Sequence, residues 1–180
     1  MMVVNPGFKI LQAEKRGVYV IKFVGEIRLN LCSTLDRVIE RMQADEGFVT
    51  VIVDLTETTV VDSTTLGLIA KIGLFARERD RILPTIISVN ADVTRLIMTM
   101  GLDDLFVIVS KAAAHASDLL EIPILQASED EVRQKVLAAH LTLMEINDAN
   151  KETFRDLVAA LECDQAENES RWATLGRHGS

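Results

Sequence analysis

The sequence predicts an α/β fold: a mixed, mostly parallel sheet with flanking helices, followed by a C-terminal helical extension. Three observations carry this. Val49-Thr50-Val51-Ile52-Val53-Asp54-Leu55 is a nearly unbroken β-branched and aliphatic run, as expected of a strand buried on both faces. It is followed by Leu66, Leu68, Ile69, Ile72, Phe75 and Ala76, spaced for an amphipathic helix. After an initial hairpin, strand-like and helix-like segments alternate, the order expected of a layered α/β domain.

The elements follow in order. Phe8-Lys9-Ile10-Leu11-Gln12-Ala13 reads as a short strand, Lys15-Arg16-Gly17 as a turn, and residues 18–24 as a second strand ended or bulged by Gly25-Glu26. Residues 30–45 place Leu31, Leu35, Val38, Ile39 and Met42 on one helical face, with Gly47 as a stop. The strand over 49–55 and the helix running to about Arg81 flank Asp62-Ser63-Thr64-Thr65. In that segment Ser63 or Thr64 can cap the helix, or a hydroxyl can accept phosphate or dock a partner. Residues 84–89 form a short strand with Pro84 at its start, where the missing N–H is tolerated. A helix over 92–100, capped by Asn90 or Asp92 and stopped by Gly101, leads to a last strand over 105–109.

Beyond residue 110 the character changes. Residues 111–120 are alanine-rich and read as helix, interrupted by Glu121-Ile122-Pro123. Ser128-Glu129-Asp130-Glu131 is a capping box with acids in the first turn. Val132, Val136, Ala139, Leu143, Ile146, Asn150, Phe154, Leu157 and Leu161 then recur by threes and fours. A continuous helix over 129–162 would be about 50 Å long. Such a helix projects, bends or pairs with another, which makes it a candidate homodimer surface. Alternatively it breaks near Asn147-Asp148 or packs across the open face of the sheet. The boundaries are therefore 1–110 for the α/β domain, 111–163 for the helical extension, and 164–180 for a polar tail expected to be disordered.

Composition narrows the function. The chain has 180 residues, 48% hydrophobic and 26% charged, enough for one domain with a sizeable core plus an extension. A net charge of −8 argues against a nucleic-acid footprint. Cys32 and Cys163 form no C-x-x-C pattern, in keeping with a reducing interior. The first residues carry no signal-peptide pattern and no apolar run would span a bilayer, so a cytoplasmic location without membrane insertion is expected.

Catalytic signatures are missing from the sequence. There is no phosphate-binding glycine loop of the G-x-x-x-x-G-K type and no serine in a G-x-S-x-G setting. His115, His140 and His178 are scattered without metal-ligand spacing, and His115 and His140 read as packing or surface residues within helical patterns. Asp103-Asp104 reads as solvated loop acids. No metal, cofactor or catalytic residue is expected.

The segment Asp62-Ser63-Thr64-Thr65-Leu66-Gly67 resembles the signature D-S-[ST]-G-L-G of the STAS domain, the fold of bacterial anti-sigma factor antagonists. Supporting matches are Val24-Gly25-Glu26-Ile27, Val53-Asp54-Leu55, and Asn90-Ala91-Asp92-Val93-Thr94-Arg95-Leu96 running into Gly101-Leu102-Asp103-Asp104-Leu105-Phe106. The likeness covers roughly residues 8 to 110.

The resemblance implies a non-enzymatic, phosphorylation-controlled binding switch. Ser63 falls on the phosphoacceptor position, with Thr64 as fallback. Asp62, Thr64, Thr65, Gly25, Glu26 and Arg28 fall on the partner-binding loop. The implied partners are an anti-sigma factor with serine kinase activity, bound when Ser63 is unmodified, and a phosphatase of the PP2C type. Thr65 replaces the usual glycine, which makes the loop before the helix less open. Arg28 stands where many members carry an acid. Two other roles are open to such a domain: a scaffold subunit of a larger signalling assembly, and an accessory subunit of an ABC-type transporter.

Overall fold

β1 (Phe8–Lys15) and β2 (Val18–Ile27) form an antiparallel hairpin, with Ile10 opposite Phe23 and Ala13 opposite Val20. A single 3-10 turn, Leu29–Leu31, leads into helix α1 (Cys32–Ala44). Strand β3 (Thr50–Val61) returns parallel to β2 and hands the chain to α2 (Ser63–Arg79). Then come β4 (Thr85–Ile87), α3 (Ala91–Thr99), a 3-10 turn over Leu102–Asp104, and β5 (Val107–Val109). A two-residue strand, β6 (Leu120–Glu121), precedes α4 (Glu129–Ile146) and α5 (Asp148–Leu175). This computed structural model describes residues 7–79, 82–111 and 118–175.

The six strands lie in the order β5-β4-β3-β2-β1-β6. The pairings β2–β3, β3–β4 and β4–β5 are parallel, while β1 pairs antiparallel with both β2 and β6. The mixed, mostly parallel sheet with flanking helices is thus the one the sequence predicts. β6 was not anticipated, because residues 111–120 read as helix. Of that stretch, 112–117 lie outside the described residues, and Leu120–Glu121 instead adds an edge strand beyond β1.

The strand run expected to be buried on both faces is buried on one. Val51, Val53 and Leu55 are fully enclosed, whereas Thr50, Ile52 and Asp54 keep partial exposure. The buried apolar side chains of all five helices join Ile21, Phe23, Val51, Val53 and Leu55 in one core cluster, so the helices cover a single sheet face. On the other face Lys22 pairs with Asp54 at 3.6 Å and Glu57 at 2.5 Å. A strand run of β-branched residues is compatible with either arrangement, since branched side chains also suit a half-exposed pleated surface.

The extension belongs to the core. Ala139, Leu143, Phe154 and Val158 are 0–7% exposed and join the same cluster. The helix over the extension breaks at Asn147, whose backbone is extended (φ −157°, ψ 166°), so that α5 folds back against α4. Ser128 caps α4 through the expected capping box, its oxygen accepting the Glu131 N–H at 3.2 Å. Asn150 ties the helical hairpin down: its side-chain amide donates to the carbonyls of Met100 (2.9 Å) and Leu143 (2.8 Å). The tail expected to be disordered from 164 is helical as far as Leu175, an extension of α5. Its composition is polar but contains no glycine or proline before Gly176 to stop the helix.

Candidate functional site

The site forms where β3 ends and α2 begins. Asp62 N–H donates to the Ile27 carbonyl at 3.2 Å, continuing the β2–β3 pairing to the last residue before the helix. Asp62 Oδ1 then accepts the Thr65 N–H at 2.8 Å, and its carbonyl accepts the Leu66 N–H at 3.1 Å. These are the two bonds of an N-cap residue. The cap is therefore Asp62, rather than Ser63 or Thr64. An aspartate there also places its charge against the positive end of the helix.

With capping done by its neighbour, the Ser63 hydroxyl is released for another partner. Its Oγ lies 2.9 Å from Nε2 of His140 on α4. His140 Nδ1 lies 2.7 Å from the Val136 carbonyl, an oxygen that only accepts. The network thus assigns the ring proton to Nδ1 and leaves Nε2 to accept the Ser63 O–H. His140 is 2% exposed, and the ring of Phe154 on α5 meets it edge-on at 4.9 Å between centroids.

The other sequence-predicted residues divide into two groups. Thr64 and Thr65 are buried, as are all residues from Leu66 to Ala70. Gly25, Glu26 and Arg28 lie at the C-terminal end of β2, which the Asp62–Ile27 bond brings alongside the β3–α2 junction. Glu26 and Arg28 are exposed and pair with each other at 3.3 Å. The structure therefore gathers Asp62, Ser63 and the 25–28 segment at one end of the sheet, and turns Thr64 and Thr65 inward.

Three helices are joined beside this junction by one carboxylate. Asp36 on α1 accepts from Lys71 on α2 at 2.8 Å and from Lys135 on α4 at 2.6 Å. Burial pushes its carboxyl upward, but the two lysine hydrogen bonds and their charges outweigh burial and hold it below the usual aspartate range. A groove of about 430 Å³ runs along this seam between α2 and α4, lined by Lys71, Leu74, Lys135 and Thr142 among others. Cys32, at the start of α1, is pushed up to about 12 by burial, with the negative charge of Asp62 adding to the shift. Its thiol donates to the Leu29 carbonyl at 2.5 Å and is not a thiolate near neutrality.

His140, which reads from the sequence as a packing or surface residue, is packed in the core and also hydrogen-bonded to Ser63. Its signal was present: Val136, Ala139, His140 and Leu143 follow helical spacing, so His140 shares the face that turns inward. That this face meets Ser63 depends on how α4 crosses α2, which no local pattern encodes. Among the described residues no group of histidine, cysteine and acidic side chains is placed to hold a metal ion. No helix of the described residues is long and apolar enough to cross a membrane.

The chain is similar to a solved anti-sigma factor antagonist from Mycobacterium paratuberculosis at 21% identity, over 58% of this chain and 86% of that one, with a TM-score of 0.48. It is similar to the anti-sigma factor antagonist SpoIIAA in its unphosphorylated form at 19% identity, over 56% and 87% of the two chains, with a TM-score of 0.45. The Bacillus cell fate determinant SpoIIAA in its phosphorylated form matches at 18% identity over 70% and 96%, with a TM-score of 0.41. A comparison with curated proteins finds no match. The STAS domain family matches residues 9–116, from the start of β1 to beyond β5 and so across the whole β3–α2 junction, and the chain belongs to that family.

Proposed function

We propose that this STAS protein is an anti-sigma factor antagonist whose binding is switched by phosphorylation of Ser63. In the unmodified state it binds an anti-sigma factor with serine kinase activity and so frees a sigma factor. Phosphorylation by that kinase, with ATP as donor, releases the partner, and a PP2C-type phosphatase resets the switch. The kinase and the phosphatase act in trans, and the protein, itself no enzyme, works in the cytoplasm.

The observation that carries this reading is the release of the Ser63 hydroxyl at the β3–α2 junction by the Asp62 cap. Ser63 is partly exposed, unlike Thr64 and Thr65, which makes it the accessible hydroxyl of the three. The segment alongside, with Glu26 and Arg28 exposed and Gly25 partly so, supplies the remainder of the docking surface. A phosphoryl group would add about −1.5 to −2 charge. The first turn of a helix tolerates that charge, so the fold survives. A partner surface shaped for a hydroxyl and set beside Asp62 would have to bury the bulk and excess negative charge of a phosphate, which is costly. The switch acts on association.

Affinity capture with the unmodified protein as bait should retrieve a kinase that, given ATP, phosphorylates the wild type and leaves Ser63→Ala unmodified. Equal phosphate uptake by Ser63→Ala would refute the assignment. Capture of an ABC-type ATPase in place of a kinase would favour the transporter role.

A further inference from the structure

We propose that His140 is a phosphoserine-binding residue built into the C-terminal extension: it orients the Ser63 hydroxyl before modification and pairs with the phosphate afterwards, keeping the α4–α5 hairpin closed on α2. This rests on Ser63 being the phosphoacceptor.

The geometry supplies the argument. Nδ1 of His140 is fixed as a donor by the Val136 carbonyl at 2.7 Å, so the lone pair of Nε2 faces Ser63 Oγ at 2.9 Å. A serine–imidazole pair with the ring oriented by a third group is the arrangement that accepts a proton from a hydroxyl nucleophile. When Oγ bonds to the terminal phosphorus of a nucleoside triphosphate, the bond from that phosphorus to the nucleoside diphosphate breaks. The hydroxyl proton then passes to Nε2. The product pair is an imidazolium and a phosphate ester. Both ring N–H groups now have acceptors, Val136 on one side and phosphate on the other, and the bond to phosphate is charge-assisted.

The setting favours a pair over an isolated charge. His140 is 2% exposed, with the Phe154 ring against it and Ala139 packed on Gly67 one residue away. An unprotonated ring would point a lone pair at phosphate oxygens in this confined seam. Protonation removes that repulsion and supplies a counter-charge. The charged groups flanking the seam are Asp62 at the junction, Lys135, Lys71 and Asp36 in the three-helix bridge, and Glu145 further along α4. Both lysines there are already engaged by Asp36, which leaves the imidazole as the group hydrogen-bonded to Ser63.

Phosphoserine inserted at position 63 during translation of the full chain yields the modified protein without any kinase. Imidazole nitrogen NMR is expected to give a neutral Nδ1–H ring for His140 in the unmodified protein, and a ring protonated on both nitrogens in the phosphoserine protein near neutral pH. Amide exchange in α4 is expected to stay close to that of the unmodified protein. His140→Phe keeps an aromatic ring against Phe154 but cannot pair with phosphate. In its phosphoserine form α4 should exchange at least about tenfold faster than in phosphoserine wild type, the loss expected for one hydrogen bond to a charged group. His140→Gln, with an acceptor for the hydroxyl and a donor for phosphate but no charge, should fall between the two. A neutral His140 ring in the phosphoserine protein, or equal α4 exchange in the phosphoserine forms of wild type and His140→Phe, would overturn the proposal. Because the phosphate is installed directly, a kinase that ignored Ser63 would leave these results unchanged and would count against the switch alone.

Discussion

Gly67 faces the backbone carbonyl of Ala139 so closely that a Cβ at position 67 would overlap it. The contact sets how near α4 can approach α2, and it lies one helical turn from Ser63. Gly67→Ala should therefore force the helices apart at a site where backbone, rather than a flexible side chain, must give way. Overpacking of this kind costs about 1–3 kcal/mol. For a chain of this length each kcal/mol lowers Tm by about 2–4 °C. Thermal unfolding followed by circular dichroism checks this, and an unchanged Tm would mean that α4 does not pack on α2 as described.

Leu143 is fully buried on α4. Leu143→Ala should cost about 2–5 kcal/mol, the range for a core leucine. The loss should appear in one cooperative unfolding transition, because the extension and the α/β domain share a core. Two separate transitions in urea would contradict that.

Asn150 closes the hairpin onto the turn after α3 through its bonds to Met100 and Leu143. Asn150→Ala leaves two carbonyls with fewer donors in a buried setting, at a cost of about 1–3 kcal/mol. Hydrogen exchange should locate the loss in the α4–α5 hairpin and around Gly101, where the chain turns with φ +75°. A uniform loss across the sheet would argue against this anchoring role.

Asp36 gives the stability a pH dependence of defined sign. Its folded pKa is depressed, so its contribution is fully present above the unfolded value near 3.8 and is lost as pH falls through the lower folded value. Asp36→Asn should destabilise by about 1–2 kcal/mol near neutrality, a figure kept small because Lys71 is substantially exposed. The gap between variant and wild type should narrow below about pH 4. A gap that stayed constant from neutral pH into acid would show that the carboxylate is not the cause.

Strands β1 to β5, the first three helices and the start of α4 were legible because their signals are local. The β-branched run of β3, the Asn90 cap, Gly101 and the capping box at Ser128 each act within a few residues. The Asp62-Ser63 junction was legible as a helix start, but not the division of labour within it. Asp62 and Ser63 are both good N-caps, and only the Asp62–Thr65 bond decides between them. Burial on one face of β3 was hidden because Ile52 and Val53 are equally apolar, although only Val53 is enclosed. Least legible was the fold-back of α5. The extended backbone at Asn147 restarts the helix in a new direction, and so brings Phe154 and His140 together over Ser63.

The central claim is that Ser63 controls association, and a calorimetric titration of the captured anti-sigma factor tests it most directly. The unmodified protein and the protein carrying phosphoserine at position 63 are titrated under the same salt and pH. The account predicts that phosphoserine weakens binding at least about a hundredfold, the scale of burying at an interface a phosphate whose charge one imidazolium only partly offsets, while thermal unfolding of the two proteins remains closely similar. Equal Kd values for the two proteins would contradict it.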